Sequence, residues 1–143
     1  MQSGSRVIPM ARMIELGRGE SLALLASVPM GRIGFTQRAL PVIRPVSHLV
    51  DGDAVVIRTH GGSALLSTTG VDPVVVYEAD QIDPQTRTGW SVMVTGPATR
   101  ITAPAEVARY RQLLVPWIDI DMDQIVRVCA DLVTGYRLTG TRA

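Results

Sequence analysis

A chain of 143 residues with 46% apolar content fits one domain with a real core and excludes a disordered polymer. Fourteen basic residues against 13 acidic ones leave a net charge of +1, which excludes the concentrated basic surface of a dedicated nucleic-acid binder. No apolar run approaches the roughly 20 residues of a membrane span, and Met1 to Arg12 lacks the apolar core of a secretory signal, so a cytoplasmic protein is expected.

In chain order, residues 1–17 read as a loose arm ahead of a single domain over 18–140. A short helix is expected near Glu20–Ser27, where Leu22, Leu25 and Ala26 share a face, and Pro29 stops it. Strands follow at Arg32–Thr36, at Val42–Val50 and, past the tight turn Asp51-Gly52, at Ala54–Thr59. Gly61-Gly62 leads into a short segment at Ser63–Thr68. Pro73–Ala79 reads as a buried strand with its proline confined to the start. In Gly89–Ile101, Trp90, Val92 and Val94 alternate with Ser91, Met93 and Thr95, which is the two-residue period of a strand. Pro104–Leu114 is a second helix with a Val107, Tyr110, Leu114 stripe. Two last strands fall around Gln124–Ala130 and Val133–Leu138. Six or so strands with few helices in one small domain point to a mainly β fold, a closed β-barrel.

The basic residues are all arginine, so Schiff-base chemistry and a lysine-dependent phosphate loop are excluded. A bound phosphate must then be met by arginine, hydroxyls, backbone N–H groups or a helix end. Arg58-Thr59-His60-Gly61-Gly62-Ser63 offers that set: a strand ending in a guanidinium and a hydroxyl, two glycines that let the backbone come close, and a serine entering a helix. The alternative is an ordinary strand-to-helix turn with Arg58 on the surface. Trp90 and Trp117 can each stack on a planar ring, anchor an interface or simply fill core. Asp119, Asp121 and Asp123 imitate a calcium loop, but Gln124 and Ala130 occupy the positions that need glycine and a bidentate glutamate. His48 and His60 lack a metal-ligand pattern, so no metal site is expected, and Cys129, the only cysteine, reads as inert core.

Taken together, these segments resemble the pyridoxamine 5′-phosphate oxidase-like, FMN-binding split-barrel family. The run from Leu24 to Phe35 looks like its helix and first strand. Pro45-Val46-Ser47-His48, Val56-Ile57-Arg58-Thr59, Tyr77-Glu78-Ala79-Asp80, Gly89 to Gly96, Leu114-Val115-Pro116-Trp117 and Thr134-Gly135-Tyr136-Arg137 continue the likeness in order. It spans about Glu15 to Leu138.

The resemblance implies a split β-barrel and a homodimer with two flavin sites at the subunit interface. It implies Arg58, Thr59 and Ser63 at the flavin phosphate, and Ser47 and His48 along the isoalloxazine ring. Trp90 and Ser91 would reach the flavin held mainly by the other subunit, and Trp117 would line the same pocket. Many relatives have lysine where Ala64 stands and asparagine where Ser47 stands. The expected activity is that of an FMN-dependent oxidoreductase acting on a small molecule. The alternatives are a reductase using the deazaflavin F420, with Arg6, Arg12 and Arg18 as a basic groove, or a non-catalytic sensory module holding flavin or haem.

Overall fold

The computed structural model describes residues 10–59, 72–116 and 124–140. Its elements in chain order are β1 (Arg12–Leu16), α1 (Arg18–Ala26), β2 (Met30–Gln37), β3 (Leu40–Asp51), β4 (Ala54–Thr59), β5 (Val74–Asp83), β6 (Thr88–Arg100), α2 (Pro104–Leu113), β7 (Gln124–Cys129) and β8 (Leu132–Thr139).

All strand pairings are antiparallel. β6, β5, β2, β3, β4 and β7 follow one another side by side, and β7 pairs back onto β6, so six strands close a ring. β8 and then β1 extend the sheet outside that ring. The split lies along one edge of β6: Gly89–Thr95 pair with β8, whereas Ala98–Arg100 pair with β7. At Gly96, between the two, an added Cβ would land on the carbonyl oxygen of Cys129, where β7 gives way to β8. The mainly β split barrel expected from the sequence is the observed fold.

Alternation explains the core. Every second residue of β6 from Trp90 to Ala98 is buried, and Val92 and Val94 pack inside with Val55, Ile57, Tyr77, Val126 and Val128. β4 is buried on both faces. Val55 and Ile57 join the barrel interior, while Val56 joins a second cluster with Ile101, Ile125, Tyr110 of α2 and Leu114 just past its end. Tyr110 Oη donates to Asp51 Oδ2 at 2.6 Å and Arg109 Nη1 to the same oxygen at 3.1 Å, so α2 is tied to the end of β3 by hydrogen bonds as well as by packing. α1 covers the inner side of β8 and β6, with Leu25 and Ser21 fully buried, whereas Ala26, placed on the same stripe by the sequence, is exposed.

Several boundaries differ from the sequence expectation. Part of the expected arm is a strand, because Arg12–Leu16 pairs with β8 more than a hundred residues away. The β3–β4 loop is Gly52-Asp53, one residue later than expected, with Asp51 still paired to Ala54 and Gly52 supplying the positive φ of 60°. β2 and β3 form a hairpin whose two loop residues, Arg38 and Ala39, both take positive φ, at 52° and 64°, without a glycine between them. The Ser63–Thr68 segment and the Asp119–Asp123 loop lie outside the described residues.

Candidate cofactor site

Each pair of neighbouring site residues expected from the sequence is divided by the strand it stands on. On β3, Ser47 is partly exposed on the outer face of the sheet and His48 is buried inside. On β6, Ser91 is outside and Trp90, at 5% exposure, fills the interior. Trp90 therefore takes the core role, not that of an exposed anchor. On β4, Thr59 follows Val55 and Ile57 toward the interior, while Arg58 follows Val56 toward α2. Ser63, His60 and Trp117 lie outside the described residues.

Arg58 is engaged. Its Nη1 donates to the carbonyl of Leu114 at 2.9 Å and to that of Arg111 at 3.3 Å, so the guanidinium closes the C-terminal end of α2. A helix end leaves carbonyls without internal partners, and a cation there also meets the negative end of the helix dipole. The same residue thus stands at the end of β4, next to the glycine-rich segment, and holds the stretch that leads to Pro116.

His48 is fixed from two sides. Its Nε2 lies 2.8 Å from the Leu25 carbonyl, and its Nδ1 is hydrogen-bonded to Tyr77 Oη, which also lies 3.3 Å from the Val46 carbonyl. A carbonyl only accepts, so Nε2 carries the proton and Nδ1 accepts from the phenol. Burial depresses the histidine pKa below its ordinary 6.5, against the opposing pull of the Leu25 carbonyl. Burial raises that of Tyr77. Both groups are neutral at pH 7, and the dyad pins the C-terminal turn of α1 to β3 and β5.

One cluster was not singled out from the sequence. On the outer face, Arg32 Nη1 donates to Glu78 Oε1 at 3.1 Å and lies 3.6 Å from Asp80 Oδ2. Burial, a hydrogen bond with Asp80 and its charge push the Glu78 carboxyl up to about 7, with Arg32 pulling the other way. Glu78 and Asp80, two apart on a strand, had to share a face, and that was the available signal. Ser91 stands directly opposite Asp80. Ser47 is on the same face across β2 and β5, roughly 14 Å away at the usual strand spacing.

Residues 17–137 match the family model for pyridoxamine 5′-phosphate oxidase. The chain belongs to that family. It is 49% identical over 129 residues to the uncharacterized protein Rv0080 of Mycobacterium tuberculosis, covering 87% of this chain and 85% of that one. Among solved structures it is similar to a Corynebacterium glutamicum protein assigned as a pyridoxamine 5′-phosphate oxidase. That match has 31% identity and a TM-score of 0.76, over 90% of this chain and 99% of the other. It is also similar to an FAD binding protein of Mycobacterium smegmatis, at 29% identity and a TM-score of 0.67, over 90% of this chain and 100% of the other. Family membership accounts for the closed ring with its divided edge. No helix among the described residues is long and apolar enough to cross a membrane.

Proposed function

We propose that this protein binds a flavin, with FMN the first choice, and acts as a flavin-dependent oxidoreductase on a small molecule, as a homodimer with the cofactor between subunits. The observation that carries the reading is the likeness, at 29% identity over 90% of the chain, to a protein that binds FAD. FMN is the part of FAD that a phosphate cradle and a ring platform alone can hold.

The residues present suit such a group. Arg58 at the end of β4 meets the phosphate and shares its fork of donors with the α2 carbonyls. Ser63 adds a hydroxyl beyond the glycine pair, and Thr59, turned to the interior, supports the strand end that carries Arg58. Ser47 and Ser91 supply hydroxyls on the outer face, while His48 and Trp90 act from beneath by fixing the strands that carry them. When bound, the flavin supplies the hydride chemistry, and the chain supplies binding, orientation and shielding from water. Because burial keeps His48 neutral and it already bonds Leu25 and Tyr77, it positions β3 without exchanging protons with the substrate.

The test is the visible spectrum of the purified protein, followed by titration of the apo form with FMN, FAD and F420. Losing a charge-assisted contact costs about 1.5–3 kcal/mol, so Arg58→Ala should weaken FMN binding roughly 10- to 100-fold, with Arg58→Lys in between. Unchanged affinity in both variants removes Arg58 from the site. Binding of F420 alone replaces the cofactor, and binding of none of the three removes the flavin reading.

A further inference from the structure

We propose that Tyr110 and Asp51 are positioning residues of the cofactor site, because their hydrogen bond sets the end of α2 that aims Arg58 at a flavin phosphate. This rests on the flavin reading above and adds to it two residues that act without touching the cofactor.

A guanidinium is planar and rigid, so a partner that fixes one of its nitrogens fixes the direction of the others. Arg58 Nη1 donates to the carbonyl of Leu114 at 2.9 Å and to that of Arg111 at 3.3 Å. Its aim therefore follows the last turn of α2 and the residue just past it. A long side chain released from such contacts spreads over several rotamers, and the phosphate then has to order it on binding.

That turn is held at a second point. The Leu114 N–H donates to the Tyr110 carbonyl at 2.8 Å, and the Tyr110 hydroxyl donates to Asp51 Oδ2 at 2.6 Å. Asp51 ends β3 and pairs with Ala54, the first residue of β4, which is the strand that carries Arg58. Helix and hairpin thus form a circuit: Asp51 to Tyr110, Tyr110 to Leu114, Leu114 to Arg58, and back along β4. Tyr110 and Leu114 also pack with Val56, on the same side of β4 as Arg58, and with Ile125, which stands directly opposite Arg58 on β7.

Packing does not set the register of that helix by itself. Apolar contact is non-directional, whereas a hydrogen bond fixes distance and angle. Tyr110 is buried, yet its hydroxyl emerges at a half-exposed carboxylate that Arg109 Nη1 also meets at 3.1 Å. The Tyr110 hydrogen bond, foremost, and Arg109 hold the Asp51 carboxyl below its ordinary range against the effect of burial. The acceptor is then an anion at neutral pH, and the bond to it is charge-assisted.

The experiment is fluorescence titration of the purified full-length chain with FMN and with riboflavin, which lacks the phosphate. It compares the wild type, Tyr110→Phe, Arg58→Ala and the double variant, with circular dichroism to confirm folding. Tyr110→Phe should raise the FMN dissociation constant about three- to tenfold and leave that of riboflavin unchanged. It should add nothing further in the Arg58→Ala background, because a residue that acts through another is not additive with it. Asp51→Ala removes the acceptor from outside the core and should match Tyr110→Phe, so the comparison stands even where the buried change prevents folding. Additive losses, equal losses for the two ligands, or no loss in either α2 variant overturn the positioning role and leave Arg58 at the phosphate. Unchanged FMN affinity in Arg58→Ala removes Arg58 from the site and the positioning role with it. A wild type that binds neither ligand overturns the flavin reading itself.

Discussion

The phenol of Tyr77 is hydrogen-bonded to Nδ1 of His48 inside the barrel, with the two rings edge-to-face and 4.9 Å between centroids. One donor there serves the acceptor of a buried ring. Tyr77→Phe keeps the ring and removes only that donor, so it should cost about 1–3 kcal/mol of stability, read from the urea midpoint. A change within a few tenths of a kcal/mol would mean that Nδ1 finds another donor.

The histidine also sets a pH dependence. Its folded pKa lies below the ordinary 6.5, so the neutral form is native and its stabilising share is complete above 6.5. As pH falls from there toward the folded value, the unfolded chain takes up a proton that the folded chain resists, and stability is lost. His48→Gln should flatten the loss of stability as pH falls below 6.5 while lowering stability overall. A wild-type slope retained in the variant would assign the effect to another group.

The Arg38-Ala39 loop holds two non-glycine residues at positive φ. That conformation costs an ordinary residue roughly 1–2 kcal/mol, and Asn-Gly relieves most of it. The double replacement should stabilise the protein by about 1–2 kcal/mol without altering the β2–β3 register, measurable as a rise in Tm. A fall in Tm would show that the strain is matched by contacts of Arg38.

Gly96 answers to backbone, not to a side chain. An added Cβ would meet the Cys129 carbonyl, which is itself held where β7 passes into β8. Gly96→Ala should therefore destabilise by about 3 kcal/mol or prevent folding, whereas Gly19→Ala, with open space around it, should not. Equal behaviour of the two variants in thermal denaturation would count against the close approach.

Local chemistry was what the sequence displayed well. The period-two run from Trp90 to Val94, the glycine after Asp51 and the proline opening α2 each act within a few residues and stand where expected. What escaped is non-local or lacks its usual marker. β1 exists because β8 pairs with it, and nothing between residues 12 and 16 announces a partner at 135–139. The β2–β3 turn carries no Asn or Gly to declare it. At the site, Arg58 was visible as a charge at a strand end, but its hold on carbonyls 53 and 56 residues away was not. Alternation already implied that Ser47 and His48, or Trp90 and Ser91, point opposite ways, and reading each pair as a unit overlooked it.

β6 has a consequence for how the molecule comes apart. One edge of it runs along β5 for ten residues, and the other is shared between β8 and β7. The ring and its extension are both anchored on that one strand, so neither survives its release. Thermal or chemical denaturation then becomes a single all-or-none event, in which a weakness introduced at either end of β6 is felt at the other.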